Sequence, residues 1–372
     1  MSLADRQWMQ RALMLSQQGF TPPNPMVGCV IVKDGKRVGA GFHPYAGQPH
    51  AEVFALREAG EQARGATVYV TLEPCCHWGR TPPCTEALIQ AGVARVVAAT
   101  QDNNPRVGGM GLAKLREAGI EVESGLLETE ARRINEAFFH FHATGTPFVT
   151  LKAAMTLDGK IAANSGHSQW ITSAPARQYA HQLRAQSGAV MVGIGTLLAD
   201  NPSLTSRLEP PPPRQPLRII LDSLLRTPPD SNAVQIARER PQESPLLIAT
   251  SEQADSEREN ALQGPGVEIV RLPVVSEGRV DLKALIQFLA KRQIISVLVD
   301  GGGELHAALL EAGLAQKALF FIAPKIAGGR NAPTPIEGKG IVRMSDAIAL
   351  DRLRVRRFDP DIAVEGYFEE PK

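Results

Sequence analysis

TLEPCCHWGRTPPC, Thr71–Cys84, carries three of the chain's four cysteines and one of its histidines. Read outward, it closes an apolar run, Ala66 to Leu72, and opens a helical pattern from about Pro83 to Ala91, so the sulfurs sit where a strand hands over to a helix. The handover repeats on both sides. HAE, His50–Glu52, opens a helix reaching Arg64; after the cysteines come a strand Arg95 to Thr100, a helix ending near Gly119, a strand Ile120 to Glu123 and a last helix through Phe139. Such alternation predicts a largely parallel sheet with helices on its faces. Upstream, Ser2 predicts the cap of a first helix with Trp8, Ala12 and Leu15 on its apolar face and Gly19 as its stop. VGCVIVKDGKRVGAG, Val27–Gly41, reads as a hairpin turning at Asp34-Gly35.

ATGTPF, Ala143–Phe148, interrupts this pattern with a glycine and a proline. A boundary there divides the chain into residues 1–145 and 146–372. FVTLKAAMT begins a second alternating series: a helix Pro175 to Gln186, strands Ala189 to Val192, Leu217 to Asp222 and Leu246 to Ala249, a helix Leu282 to Lys291, a strand Ser296 to Val299 and a helix after Gly303. The apolar strand LFFIAPKI and a hairpin turning at Asp359-Pro360 complete it. Both domains are therefore expected to be α/β. The proline-rich EPPPPRQP, Glu209–Pro216, reads as a surface loop, since the piece it would cut off is too short for its own core.

The 372 residues suit two domains, and 43% hydrophobic with 21% charged residues suits a folded chain. Forty basic and 39 acidic residues leave a net charge of +1, so no global field draws in nucleic acid or an anionic membrane. Aromatics at 5% offer few stacking platforms for single strands. A small-molecule substrate is expected. The start, MSLADRQWMQRALML, is amphipathic and carries Asp5, unlike a secretory signal, and no apolar run approaches the roughly 20 residues of a membrane span. Clustered cysteines suggest a reducing compartment and a metal or redox site, hence a cytoplasmic protein.

Imidazole and thiolate ligands with one open coordination position make a catalytic zinc site. An H-x-E followed by P-C-x-x-C marks zinc nucleobase deaminases; here Cys75 and Cys84 are farther apart and bracket a loop. Adjacent Cys75 and Cys76 point to opposite sides of an extended segment, so one of the two is spare. Cys84, after Pro82-Pro83, sits at a helix start, where free N–H groups favour a thiolate. His50 and Glu52, two apart, do not share a helix face. His50 is therefore expected at the cap, with Glu52 in the first turn reaching a zinc-held water. Zinc brings the pKa of such a water to roughly 7, and Glu52 would carry its proton to a departing amine. That is hydrolytic deamination. A structural zinc knot is the alternative, disfavoured by a glutamate two residues past the histidine. Cys29, within VGCVIV, reads as core packing.

NPMVGCVIV, HAEVFALR, TLEPCCHWGRTPPC and QDNNPRVGGMG resemble the bifunctional riboflavin-biosynthesis family, a pyrimidine deaminase fused to a reductase. LKAAMTLDGKIA, SQWIT, LRAQSGAVMVGIGTLLADNPSLTSR and VDGGGELHAALLEAGL resemble its reductase half. The resemblance implies a cytidine-deaminase-like three-layer α/β/α domain followed by a dihydrofolate-reductase-like α/β domain. It implies zinc ligands at His50, Cys75 and Cys84 and a proton-transferring Glu52. Where the family usually has serine this chain has Cys76, which fits the spare thiol. Asn24 resembles the asparagine that holds the ring, with His43, His77 and Arg80 as further contacts.

VDGGGEL, Val299–Leu305, and GIGT, Gly193–Thr196, put two glycine turns at strand ends, a crevice of the kind where α/β proteins bind ligands. The resemblance implies NADPH there, against Ala154, Trp170, Thr196, Asp200, Ser223 and the Gly302, Gly303, Glu304 and Leu305 loop. It implies a phosphorylated pyrimidine substrate against Ser168, Arg184, Leu204, Arg207 and Asp300. Planar guanidiniums suit Arg184 and Arg207 to phosphate. Asp300 stands where many relatives have the longer glutamate. Lys152 is a candidate to assist protonation as hydride reaches the sugar carbon. A homodimer or higher homo-oligomer through the reductase domain is also suggested. The rival readings are a tRNA-adenosine or free-nucleoside deaminase, which has no need of a reductase half, and a zinc-stabilised nucleotide sensor without catalysis.

Overall fold

The structure is a computed structural model and describes residues 1–78, 82–104, 107–275 and 278–368. Its chain divides into two units, Met1–Gly145 and Thr146–Lys372.

In the first unit, Asp34 and Gly35 take left-handed backbone, φ 49° and 72°, the geometry that a two-residue reversal between strands requires. They join Gly28–Lys33 (β1) to Lys36–Phe42 (β2). Around this hairpin, in chain order, are Leu3–Ser16 (α1), Ala51–Ala59 (α2), Thr67–Val70 (β3), Cys84–Ala91 (α3), Arg95–Ala98 (β4), Met110–Glu117 (α4), Glu121–Ser124 (β5), Glu128–Ile134 (α5) and Glu136–Thr144 (α6). The sheet runs β2-β1-β3-β4-β5, with β1 antiparallel to both neighbours and β3, β4 and β5 parallel.

Strand alternation sorts its side chains into two layers. Cys29 and Ile31 join Ala51, Ala55, Leu88, Leu112 and Leu115 of α2, α3 and α4 on one face. Val30 and Val32 join Met9, Ala12, Leu13 and Ala131 of α1 and α5 on the other. Each fully buried aliphatic side chain contributes about 1.5–3 kcal/mol. Ser2 and Asp5 close the expected capping box on α1. Asp5 also receives the Tyr69 hydroxyl at 2.6 Å and Arg95 Nη1 at 2.9 Å, which ties the helix to β3 and β4.

In the second unit the elements are Phe148–Thr156 (β6), Ala174–Gln186 (α7), Ala189–Gly193 (β7), Ile194–Asp200 (α8), Leu217–Leu221 (β8), Asn232–Glu239 (α9), Leu246–Ser251 (β9), Ser256–Leu262 (α10), Val267–Leu272 (β10), Leu282–Lys291 (α11), Ser296–Asp300 (β11), Gly303–Glu311 (α12), Lys317–Ala323 (β12), Leu350–Phe358 (β13) and Asp361–Phe368 (β14). The sheet order is β10-β9-β8-β7-β11-β6-β12-β14-β13. Pairing is parallel from β10 to β12 and antiparallel through the closing hairpin. Met191 and Ile219 face α11 and α12, while Val192 and Ile220 face α9.

Several elements differ from expectation. The buried stripe of α1 is Met9, Ala12, Leu13 and Ser16, about one residue round from Trp8 and Leu15. The last helix of the first unit is two, α5 and α6, meeting at Asn135, whose side chain bonds the Met26 backbone in both directions, at 2.7 and 2.9 Å. Strand β10 and helices α8, α9 and α10 were not expected. Among the described residues no helix is long and apolar enough to cross a membrane.

Candidate functional site

His50 is the N-cap of α2, with extended backbone (φ −75°, ψ 165°) and a side chain that makes no capping bond. That frees its ring. His50 Nδ1 lies 3.2 Å from Cys84 Sγ and 3.5 Å from Cys75 Sγ, and the ligand atoms of the three residues all fall within 4.8 Å of one another. Cys84 opens α3, and its backbone N–H donates to Cys75 Sγ at 3.3 Å. The hydrogen bond from Cys84, and then His50, hold Cys75 down at about 4, while the same sulfur–sulfur bond and burial push Cys84 well up.

Glu52, in the first turn of α2, is buried, and its Oε2 has no hydrogen-bond partner among the described residues. A buried carboxylate oxygen without a partner is costly, and so marks a place where a polar group belongs. One imidazole and two thiols, with the Glu52 carboxyl against Cys84, fit a tetrahedral zinc ion keeping an open position. Burial pushes the Glu52 carboxyl up from the ordinary carboxylate range, the direction that suits a group which must hold a proton as well as take one.

Asn24 Nδ2 lies 3.0 Å from His43 Nε2, and His43 Nδ1 lies 3.1 Å from the Pro49 carbonyl. A carbonyl only accepts, so Nδ1 carries the proton and Nε2 accepts from the Asn24 amide. Asn24 Oδ1 takes no part in this bond. The His43 ring meets the His50 ring edge-on at 5.4 Å. Cys76 stands outside the three-residue cluster, His77 is exposed, and Cys29 is core. Arg80 lies outside the described residues.

Glu73 was not singled out in the sequence. Its carboxylate accepts four backbone N–H groups: Asp102 and Gly109 at Oε2 (3.1 and 3.0 Å), Gly111 and Leu112 at Oε1 (2.9 and 3.2 Å). It fixes the segment carrying Cys75 against the start of α4.

In the second unit a cavity of about 430 Å³ opens over the C-terminal ends of β7 and β11 and the side of β6. Of the expected contacts, Ala154, Trp170, Thr196, Asp200 and Gly302 line it, as do Ser168, Arg184, Leu204, Arg207, Asp300 and Lys152. Asp300 sits on its floor: Oδ1 accepts from Lys152 Nζ at 2.9 Å, and Oδ2 from Arg184 Nε at 2.6 Å. Burial alone would raise this carboxyl, but Arg184 and Lys152 outweigh it and hold it well below the usual range. The shorter side chain reaches both cations. Ser168 Oγ donates to Asp200 Oδ1 at 2.7 Å. Trp170 is 57% exposed, a plate on the wall instead of a core residue, with the Arg177 guanidinium 4.5 Å over its ring.

The side chains of the remaining expected contacts are engaged within the protein. Ser223 Oγ accepts from the Val280 N–H at 3.2 Å, Glu304 pairs with Arg279 at 3.6 Å, and Leu305 is buried in the core. Gly303 packs where a Cβ would come 2.4 Å from the Thr334 carbonyl. What this loop offers a ligand is the backbone N–H groups opening α12.

Over residues 147–364 the chain matches the family described as RibD C-terminal domain, and over residues 3–100 the cytidine and deoxycytidylate deaminase zinc-binding region. It is 44% identical over 366 residues to the riboflavin biosynthesis protein RibD of Actinobacillus pleuropneumoniae, across 98% of this chain and 95% of that protein. This chain belongs to the RibD family. Solved structures agree over nearly the full length. Acinetobacter baumannii RibD superposes with a TM-score of 0.84 at 42% identity, covering 98% of this chain and 99% of that one. A Thermotoga maritima protein, described as a diaminohydroxyphosphoribosylaminopyrimidine deaminase/5-amino-6-(5-phosphoribosylamino)uracil reductase, does so at 0.83 and 36%, with the same coverage. The first unit is accordingly cytidine-deaminase-like and the second a dihydrofolate-reductase-like reductase; the protein is a bifunctional deaminase and reductase of riboflavin biosynthesis.

Proposed function

We propose that residues 1–145 remove ammonia from 2,5-diamino-6-(5-phosphoribosylamino)pyrimidin-4(3H)-one, and that residues 146–372 reduce the ribosyl group of the product with NADPH, giving 5-amino-6-(5-phosphoribitylamino)uracil. When bound, zinc would supply an acidified water and NADPH the electron pair. His50, Cys75 and Cys84 would hold the metal. Glu52 takes a proton at Oε2 and returns it to the leaving amine. Asn24, its amide turned by His43, accepts from the pyrimidine ring through Oδ1. In the second unit Ala154, Trp170, Thr196, Asp200, Ser223 and the Gly302–Leu305 segment are read as the nicotinamide-nucleotide side. Ser168, Arg184, Leu204, Arg207 and Asp300 are read as the substrate side, with Lys152 placed to move a proton at Nζ.

The observation carrying the deaminase reading is the unpartnered Glu52 Oε2 beside three converging ligand atoms. Glu52→Gln tests it. Ammonia release should fall by roughly 10²–10⁴-fold with zinc content unchanged; a variant still releasing ammonia at the wild-type rate would overturn the reading.

Four free cysteines support a reducing, cytoplasmic setting. The outer strand β13 exposes Leu353 (61%) and Val355 (63%) at an open sheet edge, which supports pairing with a second copy there. A charge at Leu353 that left the sedimentation coefficient unaltered would argue against that dimer.

A further inference from the structure

Helix α7 turns one face to the second-unit cavity: Arg177, His181 and Arg184, spaced four and three residues apart, all line it. Arg184 is largely committed. Its Nε and Nη2 bond Asp300 Oδ2, at 2.6 and 2.5 Å, and its Nη1 bonds the Thr205 carbonyl at 3.2 Å. Lys152 is committed to the same aspartate. Arg207, by contrast, has no carboxylate partner among the described residues. Lys152 and Arg184 share the single Asp300 carboxylate and Arg207 has none, so this end of the cavity carries an excess of positive charge, the requirement of an anion subsite.

His181 stands beside it. The backbone N–H of Arg207 donates to His181 Nδ1 at 3.3 Å, and the Ser206 hydroxyl donates to the His181 carbonyl at 2.8 Å, so the Ser206–Arg207 turn is docked on this histidine at two points. A ring whose Nδ1 accepts and which is neutral must carry its proton on Nε2. Burial first, and then Arg184 and Arg207, keep it neutral. Nε2 has no partner among the described residues. A neutral donor beside these cations suits a phosphate ester, since it adds a hydrogen bond without adding a further repelling charge.

We propose that His181 is a substrate-binding residue of the reductase, whose Nε2–H donates to the phosphate of the ribosyl phosphate while its Nδ1 seats Arg207 for the same group. The proposal rests on the reductase reading above. Two amide variants separate the ring's functions. Asn places its amide near the position of Nδ1 and offers nothing to the cavity; Gln reaches the position of Nε2 and keeps a donor there. NADPH-dependent reduction of 5-amino-6-(5-phosphoribosylamino)uracil is followed alongside ammonia release, which reports whether the chain is folded. His181→Asn should raise KM for the phosphorylated compound roughly tenfold or more, with KM for NADPH within about twofold, and His181→Gln should restore most of the loss. The same compound without its phosphate should not distinguish wild type from His181→Asn. An unchanged KM in His181→Asn, or an equal loss on the compound lacking phosphate, overturns the role of His181 alone. A wild-type protein that oxidises no NADPH overturns the reductase reading and this inference with it.

Discussion

Lys152 and Asp300 face each other across adjacent parallel strands, with Lys152 Nζ 2.9 Å from Asp300 Oδ1. The pair puts an ammonium proton on the cavity floor with a carboxylate to steady it. Lys152→Met should slow single-turnover NADPH oxidation roughly tenfold or more, while ammonia release continues at its normal rate. An unchanged single-turnover rate would remove Lys152 from the mechanism.

Cys76 and Cys84 should respond oppositely to the same change. Cys84 lies within the three-ligand cluster and Cys76 does not. Cys84→Ser should cost tenfold or more in zinc affinity, and ammonia release with it. Cys76→Ser should retain about one zinc per chain by metal analysis. Loss of metal from the Cys76 variant would show that the wrong sulfur has been counted.

Glu73→Ala would leave four backbone N–H groups without their shared acceptor. Hydrogen bonds to a charged group contribute about 1.5–3 kcal/mol each, and water entering the space offsets part of the loss, so a net destabilisation of about 3 kcal/mol is predicted. Denaturant unfolding measures it. Zinc affinity should fall too, because Cys75 hangs two residues from the anchor.

His181 gives stability a pH dependence. Its pKa is pulled down to about 4 by burial and then by Arg184 and Arg207, against about 6.5 in an unfolded chain. Between those values the unfolded state holds a proton that the native state lacks. The contribution is therefore fully present above about 6.5 and is lost as pH falls toward 4. The ring is only half-buried, so solvent screening trims the effect to about 1 kcal/mol. On going from about pH 7 to about pH 5, wild type should lose that much more stability to urea than His181→Asn; equal losses would count against a ring held neutral.

Much of the architecture was legible because its signals are local. Cys29 to Val32 alternate between two buried layers, and His50 with Glu52 reveals a cap followed by a first turn. The unread elements lacked such signals. Helices α8 and α10 have seven residues each, too few to display a helical period, and β10 interleaves Glu268 and Arg271 with its apolar residues because it forms the outer edge of the sheet. In the sites, the ligand cluster could be inferred from residue types. Glu73 and His181 could not: their partners lie 29 to 39 and 26 residues away in sequence, and nothing beside them signals a backbone anchor. The family resemblance implies cofactor contacts at Glu304 and Leu305; the Glu304 side chain pairs with Arg279 and Leu305 enters the core, which leaves the backbone of this segment for a ligand.

Strand β1 supplies both layers of the first unit from successive positions, Cys29 and Ile31 to one and Val30 and Val32 to the other. Deleting a single codon here would exchange the two sets and push each side chain into a space shaped for its neighbour. The gene should therefore accept conservative replacements along this stretch far more readily than in-frame indels, a bias that a deep mutational library scored for riboflavin prototrophy would expose.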